Sequence, residues 1–235
     1  MIKTILFDLD GTLLPMDQDK FVNAYMGLLS KKAMKYGYNP ESIVKTIWKG
    51  TSMMIKNDGD STNEDVFWHV FANIYGQEAL KDKAIFDDFY LNEFQLVQES
   101  CGYTPYAKKI IDKLKSQNYR LVLATNPIFP SIATESRIKW AGIKPSDFEL
   151  YTTYENYIHS KPNLEYYKDI LAQIDCKPEE CLMVGNDVDD DMVVSELGMD
   201  TFLLTECLIN KNNKDLDHYK KGSYKDLLDY IDGLN

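Results

Sequence analysis

The sequence predicts an α/β protein: a doubly wound parallel sheet of the Rossmann-like kind, with an all-helical domain inserted into it. Three observations carry that expectation. A short apolar run, Thr4 to Phe7, stands near the start and closes on acids. A long stretch with helical spacing alone follows it, and from Pro105 onward helical and strand patterns take turns.

Each element has its own local reason. "TILF" is β-branched and apolar and reads as a buried strand, followed by a loop through Gly11 to Asp17. The segments "KFVNAYMGLLSKKAMKYG", "PESIVKTIWKGTSMMIKN", "TNEDVFWHVFANIYG" and "LKDKAIFDDFYLNEFQLVQES" carry apolar residues at helical spacing, separated by Gly, Pro, Asn or Asp. They predict roughly four helices and no strand. In "PYAKKIIDKLKSQN" a proline opens the helix and Ile110, Ile111 and Leu114 share a face; "RLVLATN" is then a strand ending in polar residues. "FPSIATESRIKWAG" reads as a helix stopped at Gly142, "ELYTTY" as a short strand, "NLEYYKDILAQI" as a helix and "CLMVGND" as a strand. "DDDMVVSELG" reads as a helix and "DTFLL" as a strand, and Ser223 caps a last helix, "YKDLLDYIDGL". Strands separated by helices imply parallel pairing through right-handed crossovers. The first strand precedes the helical block, so the expected division is an α/β core of 1–16 and 102–235 with a helical domain of 17–101 inserted.

Composition narrows the ligand. The 235 residues are 44% hydrophobic, enough for a real core, and carry 26 basic against 37 acidic side chains, net −11. That balance argues against a nucleic-acid backbone or an anionic membrane as the main ligand. No apolar run is long enough to span a bilayer, and "MIKTILFDLD" reaches charge too early for a signal peptide. The four cysteines and three histidines lack zinc-type spacing and read as reduced thiols and ordinary imidazoles of a cytoplasmic protein. No obligate protein partner is evident.

In an open parallel sheet, ligands bind beyond the carboxyl ends of the strands. Four polar clusters belong there: Asp8 and Asp10, Thr125 and Asn126, Lys161, and "GNDVDDD". Each alone has an ordinary explanation as a turn, a cap or a solvated loop. Together, and in this order, "FDLDGTLL", "LATN", "SKPN" and "VGNDVDDDM" resemble the four motifs of the haloacid dehalogenase superfamily, from Phe7 to Met192. The helical block between the first two motifs resembles that superfamily's C1 cap in place and length. No comparable insertion separates Asn126 from Lys161, where a C2 cap would lie.

Two carboxylates at one strand end repel, and a hard divalent cation such as Mg²⁺ is the natural compensator, needing few protein oxygens. The resemblance implies that Asp8 is the nucleophile, forming an aspartyl phosphate with a small phosphorylated metabolite while also ligating Mg²⁺. It implies that Asp10 is the general acid/base, its backbone carbonyl on the metal, with a pKa that the neighbouring carboxylate raises. Thr125 and Asn126 would contact the phosphoryl oxygens, Lys161 would neutralise them and hold Asp8 ionised, and Gly11 would let the backbone approach closely, with Thr12 bracing that turn. The fourth motif departs from the commoner "GDxxxD". Aligned without a gap from Gly185, Asn186 becomes the metal ligand and Asp190 the second acid; shifted by one, Asp187 and Asp191 take those roles. Position favours Asn186, and both stay open.

In the helical block, "WKGTSMMIKNDG" offers Trp48, Lys49 and Lys56 to an anionic ligand, although helix core and solvated lysines account for the pattern better. Phe67, Trp68, Phe71 and Tyr75 read as packing. The expected activity is Mg²⁺-dependent phosphomonoester hydrolysis. A dehalogenase would work without metal and without an acid at Asp10, a phosphonatase would need a cap lysine as Schiff-base partner, and a phosphomutase a cap that excludes water. A protein that only binds a phosphorylated ligand would need no nucleophile beside an acid/base.

Overall fold

The structure is a computed structural model and describes residues 1–234. Six strands form one sheet: β1 (Thr4–Phe7), β2 (Arg120–Leu123), β3 (Leu150–Tyr151), β4 (Cys181–Gly185), β5 (Asp200–Leu204) and β6 (Lys220–Gly222). Their order is β3-β2-β1-β4-β5-β6, and every pair is parallel. The fold class expected from sequence therefore holds, including the inserted helical domain. Side chains alternate along β1: Ile5 and Phe7 join a core on one face, with α5 (Pro105–Ser116), α6 (Ser131–Trp140) and α8 (Tyr224–Asp232), while Leu6 joins a second core with α7 (Leu164–Gln173). A strand covered on both faces has to be apolar throughout, and all four residues of β1 are buried.

Caps fix where helices begin. Thr104 accepts from Tyr106 N ahead of α5, Asn163 from Glu165 N ahead of α7, and Ser223 forms a capping box with Asp226 ahead of α8. Between β1 and β2 the chain is helical: α1 (Gln18–Met34), α2 (Pro40–Ile55), α3 (Asn63–Tyr75) and α4 (Lys83–Leu91), with 3₁₀ turns at Gln77–Asp82 and Glu93–Ser100. Their apolar faces continue the core. Phe94 packs on Trp140 at 5.1 Å between ring centroids and Tyr25 on Phe129 at 5.5 Å. Lys32, buried on α1, pairs with Asp88 and with Glu93. The two chain crossings lie side by side: Met16 bridges Cys101, and Gly102 N donates to Pro15 O at 2.8 Å.

The insertion is also fastened at its far side. The first-turn amides of α3 reach out of their helix, Asn63 N to Tyr157 O and Glu64 N to Tyr154 O, each 2.8 Å. Asn63 is fully buried and its Nδ2 donates to Pro127 O and Ser160 Oγ; Ser160 in turn donates to Met54 O.

Three elements differ from expectation. The last helical segment of the insertion is broken at Asn92, whose backbone leaves helical geometry (φ −116°, ψ −82°). "DDDMVVSELG" is a turn followed by a 3₁₀ segment, Met192–Leu197, because aspartate side chains capture the first backbone amides. β6 was not expected, since "KKG" is a polar, half-exposed edge without apolar rhythm. Among the described residues, no helix is long and apolar enough to cross a membrane.

Candidate active site

Parallel register brings three strand ends together. Phe7 pairs with Leu123 on one side and Val184 on the other, so the residues that follow, Asp8, Thr125 and Asn186, emerge side by side where the strand order reverses. Asp8 N donates to Val184 O at 2.9 Å and Ala124 N to Phe7 O at 2.7 Å, which carries the pairing up to the site. A cavity of about 260 Å³ lies above this point. Asp8, Asp10, Thr125, Asn126, Lys161, Asn186, Asp187, Asp190 and Asp191 line its floor, and the helical insertion forms its roof. Gly11 stands behind Asn186 rather than on the cavity.

Lys161 is the hub. It is 2% exposed, and its Nζ donates to Asp8 Oδ1 at 2.8 Å and to Asp191 Oδ1 at 2.6 Å. Burial alone would lower its pKa, but Asp191 and Asp8 outweigh burial and hold it well above the usual range. Asp191 is raised, chiefly by burial, against the pull of Lys161. Its Oδ2 accepts from Asn186 N and Asp187 N, both at 3.0 Å. Gly185 makes that possible, because a Cβ there would stand 2.2 Å from Asp191 Oδ2. Burial pushes Asp190 up to about 6.

The other half of the loop faces β1. Asn186 Oδ1 accepts from Thr12 Oγ1 at 2.8 Å and Nδ2 donates to Cys207 O at 2.7 Å. Gly11 has φ +93°, and a Cβ on it would meet Asn186 Nδ2 at 2.4 Å. Asp187 Oδ1 accepts from the amides of Asp189 and Asp190, and Asp189 turns outward to Lys214. Thr125 is held by its carbonyl, which accepts from Thr152 Oγ1 at 2.5 Å and Tyr166 Oη at 2.7 Å.

Sequence reasoning missed Arg137. It is 1% exposed on α6, pairs with Asp10 Oδ2, and lies over the Phe129 ring at 4.4 Å. Asp10 is raised by burial, opposed by Arg137 and reinforced by Asp8. A signal was present: only two of the chain's 26 basic residues are arginine, and Arg137 falls at i+4 from Ala133 and i−4 from Ala141, on the apolar stripe of its helix. Conversely, Lys49 and Lys56 do not line the cavity. Trp48 does, half exposed, and of Met53, Met54 and Ile55 only Met54 is core. Phe67 and Trp68 pack as expected and also face the cavity.

The chemistry the floor permits is set by charge. Among the described residues, the ion pairs of Asp8, Asp10, Asp187, Asp190 and Asp191 are made by two cations, Lys161 and Arg137. The buried Oδ1 atoms of Asp10 and Asn126 meet no donor among the described residues. A floor so composed can hold a hard cation and, through it, an anion.

Known proteins fit this picture. The chain is 26% identical over 240 residues to a glyceraldehyde 3-phosphate phosphatase of Methanocaldococcus jannaschii, covering 100% of this chain and 99% of that one. It is 26% identical over 208 residues to a D-ribitol-5-phosphate phosphatase of Bacteroides thetaiotaomicron, covering 86% of this chain and 91% of that one. The crystal structure of a 2-haloacid dehalogenase from Pseudomonas syringae pv. Tomato superposes with a TM-score of 0.63 at 18% identity, over 100% of both chains, a likeness of fold. The model of the haloacid dehalogenase-like hydrolases matches residues 2–193, so the chain belongs to the haloacid dehalogenase-like hydrolase family.

Proposed function

We propose that this hydrolase is a Mg²⁺-dependent phosphatase that cleaves small phosphomonoesters through an aspartyl phosphate on Asp8. The observation that carries the reading is the Asp8–Lys161–Asp191 chain beneath a cavity roofed by the insertion. Lys161 takes one oxygen of Asp8 and leaves Oδ2 without a protein donor among the described residues. A carboxylate pinned by one oxygen and open at the other is oriented for in-line attack on phosphorus.

The residues present fit Mg²⁺. The donors are hard oxygens, five carboxylates exceed two cations, and Asp10 Oδ1 lies buried without a donor. Among the described residues no three acidic, histidine or cysteine side chains form a preformed cage, and Mg²⁺ keeps several waters and requires few protein carboxylates. Asp8, the backbone carbonyl of Asp10 and Asp187 would hold it. Asp187 is preferred over Asn186 because both polar atoms of the Asn186 amide are engaged by Thr12 and Cys207, while Asp187 Oδ2 is not engaged. The shifted register also makes Asp191 the second acid, the one that touches Lys161. When bound, the ion neutralises charge on the phosphoryl group. The chain's own residues do the rest: Thr125 and Asn126 orient the phosphoryl oxygens, Lys161 balances their charge, and Asp10 gives a proton to the leaving oxygen and takes one from water.

Residues 17–101 are proposed as the cap that excludes water during this chemistry. A pure binding protein would not need Asp8 and Asp10 in different protonation roles. Hydrolysis of phenyl phosphate should require added Mg²⁺, stop with chelator and fall at least about 10³-fold in Asp8→Asn, as for loss of a covalent nucleophile. Full activity in Asp8→Asn would falsify the nucleophile assignment.

A further inference from the structure

We infer that the cavity accepts a phosphomonoester whose leaving group is a ring-sized apolar or aromatic alcohol without a second anionic group. This rests on the phosphatase reading for the position of the phosphate, and on the roof for everything else.

The two ends of the cavity differ in chemistry. All of its charged lining residues, Asp8, Asp10, Lys161, Asp187, Asp190 and Asp191, belong to the floor. The roof presents Val22, Met26, Ile47, Trp48, Phe67 and, from the core side, Phe129. Its polar groups are few and neutral: Gln18, Thr51, the Trp68 indole N–H, buried with no hydrogen-bond partner among the described residues, and tyrosine hydroxyls, of which Tyr25 and Tyr90 bond each other at 2.9 Å. Lys161 is the single cation lining the cavity among the described residues, and it is already shared by two carboxylates.

A substrate placed with its phosphate on the floor must put its other end against this roof. A carboxylate or second phosphate there would lose its water and gain no donor cation, while the five floor carboxylates repel it. The roof therefore selects against a second anion as well as for apolar surface. An aromatic ring meets the opposite situation. Trp48, about half exposed, and Phe67, buried, both line the cavity and give aromatic surface for stacking. At about 260 Å³ the cavity lies just under the range of about 300–1,000 Å³ for drug-sized ligands, which suits one or two rings beside a phosphate.

A matched pair of probes isolates the second anion. Phenyl phosphate and 4-carboxyphenyl phosphate share a ring and a scissile bond, and benzylphosphonate and 4-carboxybenzylphosphonate are their non-hydrolysable counterparts. With wild-type protein and Mg²⁺, the uncharged member of each pair should be favoured at least tenfold, in kcat/KM for the esters and in Kd for the phosphonates, about 1.4 kcal/mol. Met26→Lys, which puts a cation in the roof, should narrow both gaps by improving the carboxylated member. Equal or reversed preference in the phosphonate Kd overturns the inference, even if both esters are hydrolysed and the phosphatase reading stands. A tenfold phosphonate preference without hydrolysis of either ester upholds the inference about the roof and sinks the phosphatase reading instead.

Discussion

Arg137 governs the environment of Asp10, the proposed acid/base. Its guanidinium is the largest influence opposing burial of that carboxyl, and it holds Oδ2 while Oδ1 has no donor. Replacing it with methionine keeps bulk over Phe129 and removes the charge. Without the cation, the carboxylate form of Asp10 is less favoured, its pKa rises, and the protonated acid persists to higher pH. The alkaline limb of the kcat/KM profile should therefore move upward in Arg137→Met. General acid–base catalysis is worth about 10²–10⁴-fold, and part of it should be lost with the orientation of Asp10. An unmoved limb would separate Arg137 from the proton transfer. At this scale the sequence was legible where residues punctuate strand ends: Asp8, Asp10 and Thr125 follow apolar runs and converge by parallel register, whereas Lys161 lies in a turn and was legible only by its place in the order of the motifs. Arg137 was not, because its partner is 127 residues away and its helix hides it among apolar neighbours. The proposed choice of Asp187 over Asn186 was equally closed to spacing, since it is argued from which amide or carboxylate the loop has already engaged.

Among the elements, α1 is tied to the end of the insertion by one lysine. Lys32 pairs with Asp88 at the end of α4 and with Glu93 in the following turn, and the pair holds Asp88 below the usual carboxylate range, mainly through its hydrogen bond. A carboxylate whose folded pKa is depressed contributes stability above its unfolded pKa and loses it as pH falls through the folded value. Its contribution should be complete above about pH 4 and fade below it. Lys32→Met should thus lower the urea midpoint at pH 7, and its gap to wild type should close as pH is taken from about 4 toward 2. A gap that ignores pH would assign the effect to the aliphatic stem of Lys32 rather than to its charge. Periodicity announced these helices because their apolar faces are long. It failed at Asn92, whose side-chain amide donates to the Asp88 carbonyl, in the aspartate loop, where carboxylates take backbone amides, and at β6, which is held by its neighbour rather than by apolar side chains.

For the whole molecule, insertion of a helical block into an α/β sheet was readable because the two rhythms, helix alone and helix alternating with strand, meet near Cys101. What was not readable is how the two parts are joined opposite the chain crossings. There, Asn63 and Glu64 occupy the first turn of α3, where no carbonyl of the helix itself can receive an amide, and carbonyls of Tyr157 and Tyr154 receive them instead. Their protons are sheltered while insertion and core stay in contact, so exchange with deuterium at these two positions reports loss of that contact. Exchange there should be faster than at Leu6 in the sheet, slower with benzylphosphonate bound, and faster again in Asn63→Ala. Rates matching the sheet in the free protein would mean that the cap does not open short of unfolding. If it does open, the rate of opening, read where every opening leads to exchange, is also a ceiling on how fast a product enclosed beneath it can leave.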